Sequence, residues 1–118
     1  VGTLQRLPRI IGDGMLRELA YTGRMVAADE ARAIGLVNRV YSDNQALLDG
    51  VMAIAHEIAS KSPIAIAGTK QMIGYMRDHR VDDGLEYVAT WNAAMLQSSD
   101  LRLAMTAHMT KQKPEFLD

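Results

Sequence analysis

A histidine and a lysine three residues apart, His108 and Lys111, close the last periodic segment of this 118-residue chain. That spacing puts both side chains on one face of a helix. An ammonium on a flexible stem suits a phosphate dianion as a point charge, and an imidazole beside it can stack on a flat ring or line a pocket. The same pair also fits a solvated helix end, where the helix dipole favours cations. The other chemistry-bearing residues offer less. His79, in Arg77-Asp78-His79-Arg80, has no second ligand at metal-binding spacing and reads as a polar cluster at a helix end. Asp82 and Asp83 look like paired carboxylates, yet after a helix break they fit an N-cap and a first-turn acid better. Gly12-Asp13-Gly14 and Gly68-Thr69-Lys70 lack the flanking glycines of a phosphate loop. With no cysteine, a thiol nucleophile, a disulfide framework and a zinc ribbon are excluded. The eight methionines point to adaptable packing rather than a cofactor box, and no metal site is implied.

The elements that must position these residues read as a series of helices. Thr3 to Ile11 is a first helical element tightened by Pro8, which lacks an N–H donor. Asp13 is placed to cap a second helix, ended near Thr22 by Gly23. A short helix over Asp29 to Ile34 stops at Gly35, and residues 36–41 are the one strand candidate. Ser42-Asp43-Asn44 caps a long helix to about Ser60, whose apolar stripe is wide enough to be buried on more than one side. Pro63 suits the first turn of a helix to about Tyr75. Another helix runs from about Asp82 to Gln97, and the last starts at Ser99 or Asp100 and fades by Lys111. The Asp82 helix carries two distinct faces, one with Leu85, Val88, Asn92 and Met95 and the other with Tyr87, Trp91 and Ala94, both largely apolar. Two apolar faces must both be buried. Tyr87 and Trp91 are therefore candidate interface residues, with core packing or a pocket wall as the alternatives.

Composition narrows the partners. A net charge of −1 with scattered Lys and Arg removes the electrostatic basis for nucleic-acid binding. No apolar run approaches the roughly 20 residues of a membrane span, no leader pattern is visible, and the final residues are not a Ser-Lys-Leu-type address. Cytoplasm is the default expectation.

Several blocks together resemble the enoyl-CoA hydratase/isomerase (crotonase) superfamily. Gly2-Thr3-Leu4-Gln5-Arg6-Leu7-Pro8 is similar to its Gly-Thr-Gln-Arg-Leu-Pro segment, with the extra Leu4 typical of dienoyl-CoA isomerases. Leu19 to Arg24, Ala28-Asp29-Glu30-Ala31, Gly35 to Val40 and Ser60-Lys61-Ser62-Pro63 resemble the general superfamily pattern. Arg77-Asp78-His79, Ala89-Thr90-Trp91-Asn92 and Met95-Leu96-Gln97 are similar to the dienoyl-CoA isomerase branch. Ala107 to Phe116 resembles the superfamily tail, with Lys111 at its first lysine and His108 where the family has Phe.

The resemblance implies a mostly α chain, the C-terminal helical, trimerisation-type part of a crotonase-like fold with at most one short strand near 36–41. Residues 1 to about 60 would end the core region, and about 63–118 would form the oligomerisation region. It implies a parent that converts 3,5-dienoyl-CoA to 2,4-dienoyl-CoA in fatty acid degradation, with coenzyme A entering as the thioester substrate and no separate cofactor. The catalytic carboxylates would stand upstream of Val1, so none is assigned here and the isolated chain would be inactive. Lys111, with His108 beside it, would contact coenzyme A, possibly on a neighbouring subunit of a trimer or dimer of trimers. The partners implied are the N-terminal catalytic half, further copies of the chain and acyl-CoA. Two alternatives stay open: an enoyl-CoA hydratase parent, and a stand-alone helical interaction module without catalysis.

Overall fold

The structure, a computed structural model, describes residues 2–116. Among these, every regular element is helical. They are α1 (Thr3–Arg6), a 3-10 turn (Leu7–Arg9), α2 (Asp13–Thr22), α3 (Ala28–Ala33), α4 (Asn44–Ala59), α5 (Pro63–Tyr75), α6 (Val81–Met95) and α7 (Ser99–Thr110). The chain groups into two compact units, Val1–Gly50 and Val51–Asp118.

In the first unit Pro8 converts the opening helix to 3-10 geometry, as its missing donor requires. Asp13 does not cap α2. Gly12 holds the N-cap position, and Asp13 is the first helical residue, where its carboxylate accepts from Arg17 Nε at 2.7 Å. Gly23 ends α2 in the left-handed region at φ 61°.

Residues 36–41 form no strand. The amides of Leu36 and Val37 are both spent on the Ala31 carbonyl, at 2.8 and 3.2 Å, where they close the end of α3 past the left-handed Gly35. No second strand is present among the described residues to pair with this segment. Ile11, Leu16 and Ala31 are the buried apolar residues of the unit.

Arg24 ties α2 to α3. It donates to both Glu30 oxygens at 2.6 and 2.9 Å and to Glu18 Oε1 at 2.8 and 3.0 Å. The Arg24 guanidinium holds the Glu30 carboxyl below its ordinary range. At the end of the unit the Tyr41 ring lies against Gly50, where any Cβ would collide with it. A glycine inside a helix is unfavourable by about 1 kcal/mol, and here it makes room for that ring.

Helix α4 is capped by Asp43, whose carboxylate accepts from the Ala46 amide at 2.8 Å. The expected burial of its apolar stripe is not found. Val51, Met52 and Ile58 are about half exposed and Ile54 is only half-buried, because nothing in the described chain covers them.

In the second unit α5 and α6 pack against one another. Trp91 of α6 lies on Gly68 of α5, a position so close that a Cβ there would stand 2.7 Å from the indole Nε1. Tyr87 meets the Tyr75 ring edge-on at 4.7 Å and its hydroxyl accepts from the Gln71 side chain. Asp82 is not the cap of α6. The helix starts at Val81, and Asp83 reaches back to accept the Arg80 amide at 3.0 Å. Helix α7 is capped by Ser98, one residue before the expected start, through the Leu101 amide at 3.4 Å.

Candidate functional site

Three helices of the second unit enclose a cleft of about 250 Å³. Ile64, Ala65, Trp91, Met95, Leu101 and Ala104 supply an apolar wall, and Ser62, Asn92 and Asp100 supply its polar groups. Asp100 is the one buried charged side chain among the described residues, 7 % exposed. The Ser62 hydroxyl donates to Asp100 Oδ2 at 2.5 Å while accepting the Ala65 amide at 3.2 Å. One hydroxyl therefore caps α5 and holds the first turn of α7. The sequence marks Ser62-Pro63 as a helix start and Asp100 as one of two starts for the last helix, but not that they meet across 38 residues.

The sequence-predicted residues are spread around this frame. Lys111 is the C-cap of α7, left-handed at φ 55°, with an exposed side chain. The Gln112 amide returns to the Ala107 carbonyl at 2.9 Å and completes the helix stop. His108 stands exposed one turn before it. Tyr87 and Trp91 are half-buried against α5, so that face of α6 is already occupied within the unit. The other face is open only at its start, where Val81 is 66 % and Leu85 60 % exposed, whereas Val88 and Met95 are half-buried.

His79 is the helix-end cluster anticipated from its neighbours. Its ring stacks on Tyr75 with centroids 3.6 Å apart. With its proton on Nδ1, it donates to the Tyr75 carbonyl at 2.8 Å and to Asp78 Oδ1 at 2.7 Å. The Tyr75 carbonyl first, and Asp78 after it, raise the imidazole pKa above its ordinary value. A raised folded-state pKa gives a stabilisation that is complete below the unfolded value of about 6.5 and fades as pH rises through the folded one. A proton-NMR titration of His79 is expected to show a midpoint above that of an unfolded peptide and a lower one in Asp78→Asn. Equal midpoints in the parent and the variant would remove Asp78 as a cause.

Comparison with known proteins places this frame. The family model described as enoyl-CoA hydratase/isomerase matches residues 1–118. The chain belongs to the enoyl-CoA hydratase/isomerase family. It is 53% identical over 102 residues to the human mitochondrial Delta(3,5)-Delta(2,4)-dienoyl-CoA isomerase, covering 86% of this chain and 31% of that protein. To the peroxisomal isomerase of that name from Arabidopsis thaliana it is 48% identical over 116 residues, covering 98% of this chain and 42% of that protein. The crystal structure of an enoyl-CoA hydratase from Bacillus anthracis superposes with a TM-score of 0.91 at 34% identity, covering 98% of this chain and 44% of that one. The chain thus spans about a third to two-fifths of the length of the isomerases it matches.

The cytoplasmic expectation is corrected by these relatives, whose names are mitochondrial or peroxisomal. That expectation rested on the lack of an address within 118 residues, and a compartment address need not lie in the residues read here. No helix among the described residues is long and apolar enough to cross a membrane.

Proposed function

We propose that this chain is the C-terminal helical part of an enzyme that isomerises 3,5-dienoyl-CoA to 2,4-dienoyl-CoA during fatty acid degradation. One observation carries the choice within the family. Identity is 42–53% over 86–98% of the chain to proteins named as that isomerase, and 34% to the hydratase from Bacillus anthracis.

In this reading the reaction moves protons on an acyl-CoA thioester. Carboxylates remove and return the protons, and backbone N–H donors stabilise the enolate oxygen as its charge develops. Those groups belong to the catalytic half, which must accompany this chain. The chain's own work is subunit association and cover of the coenzyme A site, with coenzyme A present only as the thioester of the substrate. Association is supported by the open faces of α4 and α6, which set Val51, Met52, Val81 and Leu85 in water. Apolar patches of that kind mark an interface. A homotrimer or dimer of trimers would cover them.

The test is turnover by the whole protein. Conversion of a 3,5-dienoyl-CoA into the diene conjugated with its thioester is the expected result. Water addition to a 2-enoyl-CoA without dienoyl isomerisation would establish the hydratase reading instead. Lys111, with His108 beside it, is assigned to coenzyme A, where its ammonium can meet a phosphate. Lys111→Ala is expected to raise KM for the acyl-CoA about 3- to 10-fold, the loss of one solvent-exposed contact of about 1 kcal/mol. Because that contact is the same in ground and transition states, kcat should stay within about twofold. An unchanged KM would remove Lys111 from the site.

A further inference from the structure

Beyond Lys111 the chain reverses and runs back beside its own last helix. Lys113, Pro114 and Phe116 thereby come to share a cleft of about 430 Å³ with Ala104 of α7 and with Lys61 and Ser62, the residues that lead into α5. Its lining is part cationic and part apolar. Lys61 and Lys113 supply two ammonium groups, and neither forms an ion pair among the described residues. Ser62, the N-cap of α5, also lines the cleft, and the amino end of that helix carries partial positive charge. Ala104, Pro114 and Phe116 supply its apolar wall, and no carboxylate among the described residues lines it. The nearby Asp100 is engaged by Ser62 and lines the separate cleft formed with Trp91.

We propose that this cleft binds an organic phosphate monoester, separately from the contact assigned to His108 and Lys111. Two ammonium groups match a dianion better than a single carboxylate, and lysine binds phosphate as a compact point charge. The apolar wall would take the body that carries the phosphate, and its burial explains why inorganic phosphate alone should bind less well.

Phenyl phosphate is a suitable probe, with phenol and inorganic phosphate as its two halves. In the full chain, followed by amide NMR, phenyl phosphate is expected to shift the signals of Lys61, Ser62 and Phe116 saturably, and more tightly than either half. The double variant Lys61→Gln/Lys113→Gln removes charge from two exposed side chains and should weaken phenyl phosphate at least about tenfold, equivalent to one charge-assisted contact or more. Binding that survives the double variant, phenol binding as tightly as phenyl phosphate, or no saturable shift at these residues would each overturn the proposal. Failure of the isomerase assay would leave this binding result standing, because the probe contains no thioester.

Discussion

Gly68→Val is expected to lower the stability of the protein by about 2–3 kcal/mol, the size of a forced insertion into a packed site. A Cβ at residue 68 would stand 2.7 Å from Nε1, 2.8 Å from Cε2 and 3.0 Å from Cζ2 of Trp91. Those three atoms belong to one rigid ring, so the indole cannot yield at one point; it must swing away from α5 as a body. Gly68→Ala meets the same ring but gains about 1 kcal/mol of helix propensity, which offsets part of the collision. Gly84 is the control. A Cβ there would strike the sulfur of Met76, the far part of an unbranched side chain that can rotate aside. Gly84→Ala should therefore be close to neutral. Denaturant midpoints of the three variants test the ranking, and Trp91 supplies a second readout as the single tryptophan of the chain. Its emission should move only in the Gly68 variants. A loss at Gly84→Ala equal to that at Gly68→Val would show that helix glycines matter here for some reason other than the ring.

The contrast between these glycines marks what the sequence could show. Helix starts and stops were legible wherever one residue acts on its own neighbours. Pro8 tightens the first element, Gly23 ends α2, Asp43 caps α4, and Pro63 opens α5 behind its Ser62 cap. Single positions slipped where two residues compete for one role, as Gly12 with Asp13, Asp83 with Asp82, and Ser98 with Ser99. The strand over residues 36–41 was misread for a different reason. Its β-branched residues fit a strand, but Leu36 and Val37 donate to Ala31, and a strand exists only with a partner.

Nothing local signals that Gly68 must be small, since the ring that requires it is 23 residues away along the chain. The two apolar faces of the Asp82 helix were visible from their spacing, but which one the chain itself covers was not. Packing on α5 decides it, taking Tyr87 and Trp91 and leaving Leu85 outside. The cleft of Lys61 and Lys113 was equally hidden, because it depends on the reversal at Lys111, where a lysine adopts a conformation usually left to glycine.

The contact between Ser62 and Asp100 carries the second large expectation. Asp100→Ala should cost about 2 kcal/mol, the usual contribution of a hydrogen bond to a charged group. The aspartate also sits in the first turn of α7, where a negative charge meets the helix dipole and adds up to about 1 kcal/mol. Asp100→Asn retains an acceptor for the Ser62 hydroxyl but not the charge, so its loss should be about half as large. Ser62→Ala removes two bonds at once, the cap on Ala65 and the bond to Asp100. It should exceed a simple cap deletion of about 1 kcal/mol for that reason.

The double variant discriminates between contact and coincidence. If the two side chains act together, Ser62→Ala/Asp100→Ala should fall short of the summed single losses by about 1–2 kcal/mol, because the shared bond is lost only once. Strict additivity would mean that the two residues stabilise their own helices independently. The α5 and α7 starts would then be joined by the apolar wall of the Trp91 cleft alone. That outcome would shift the expected effect to Leu101→Ala, whose half-buried side chain lines the same cleft.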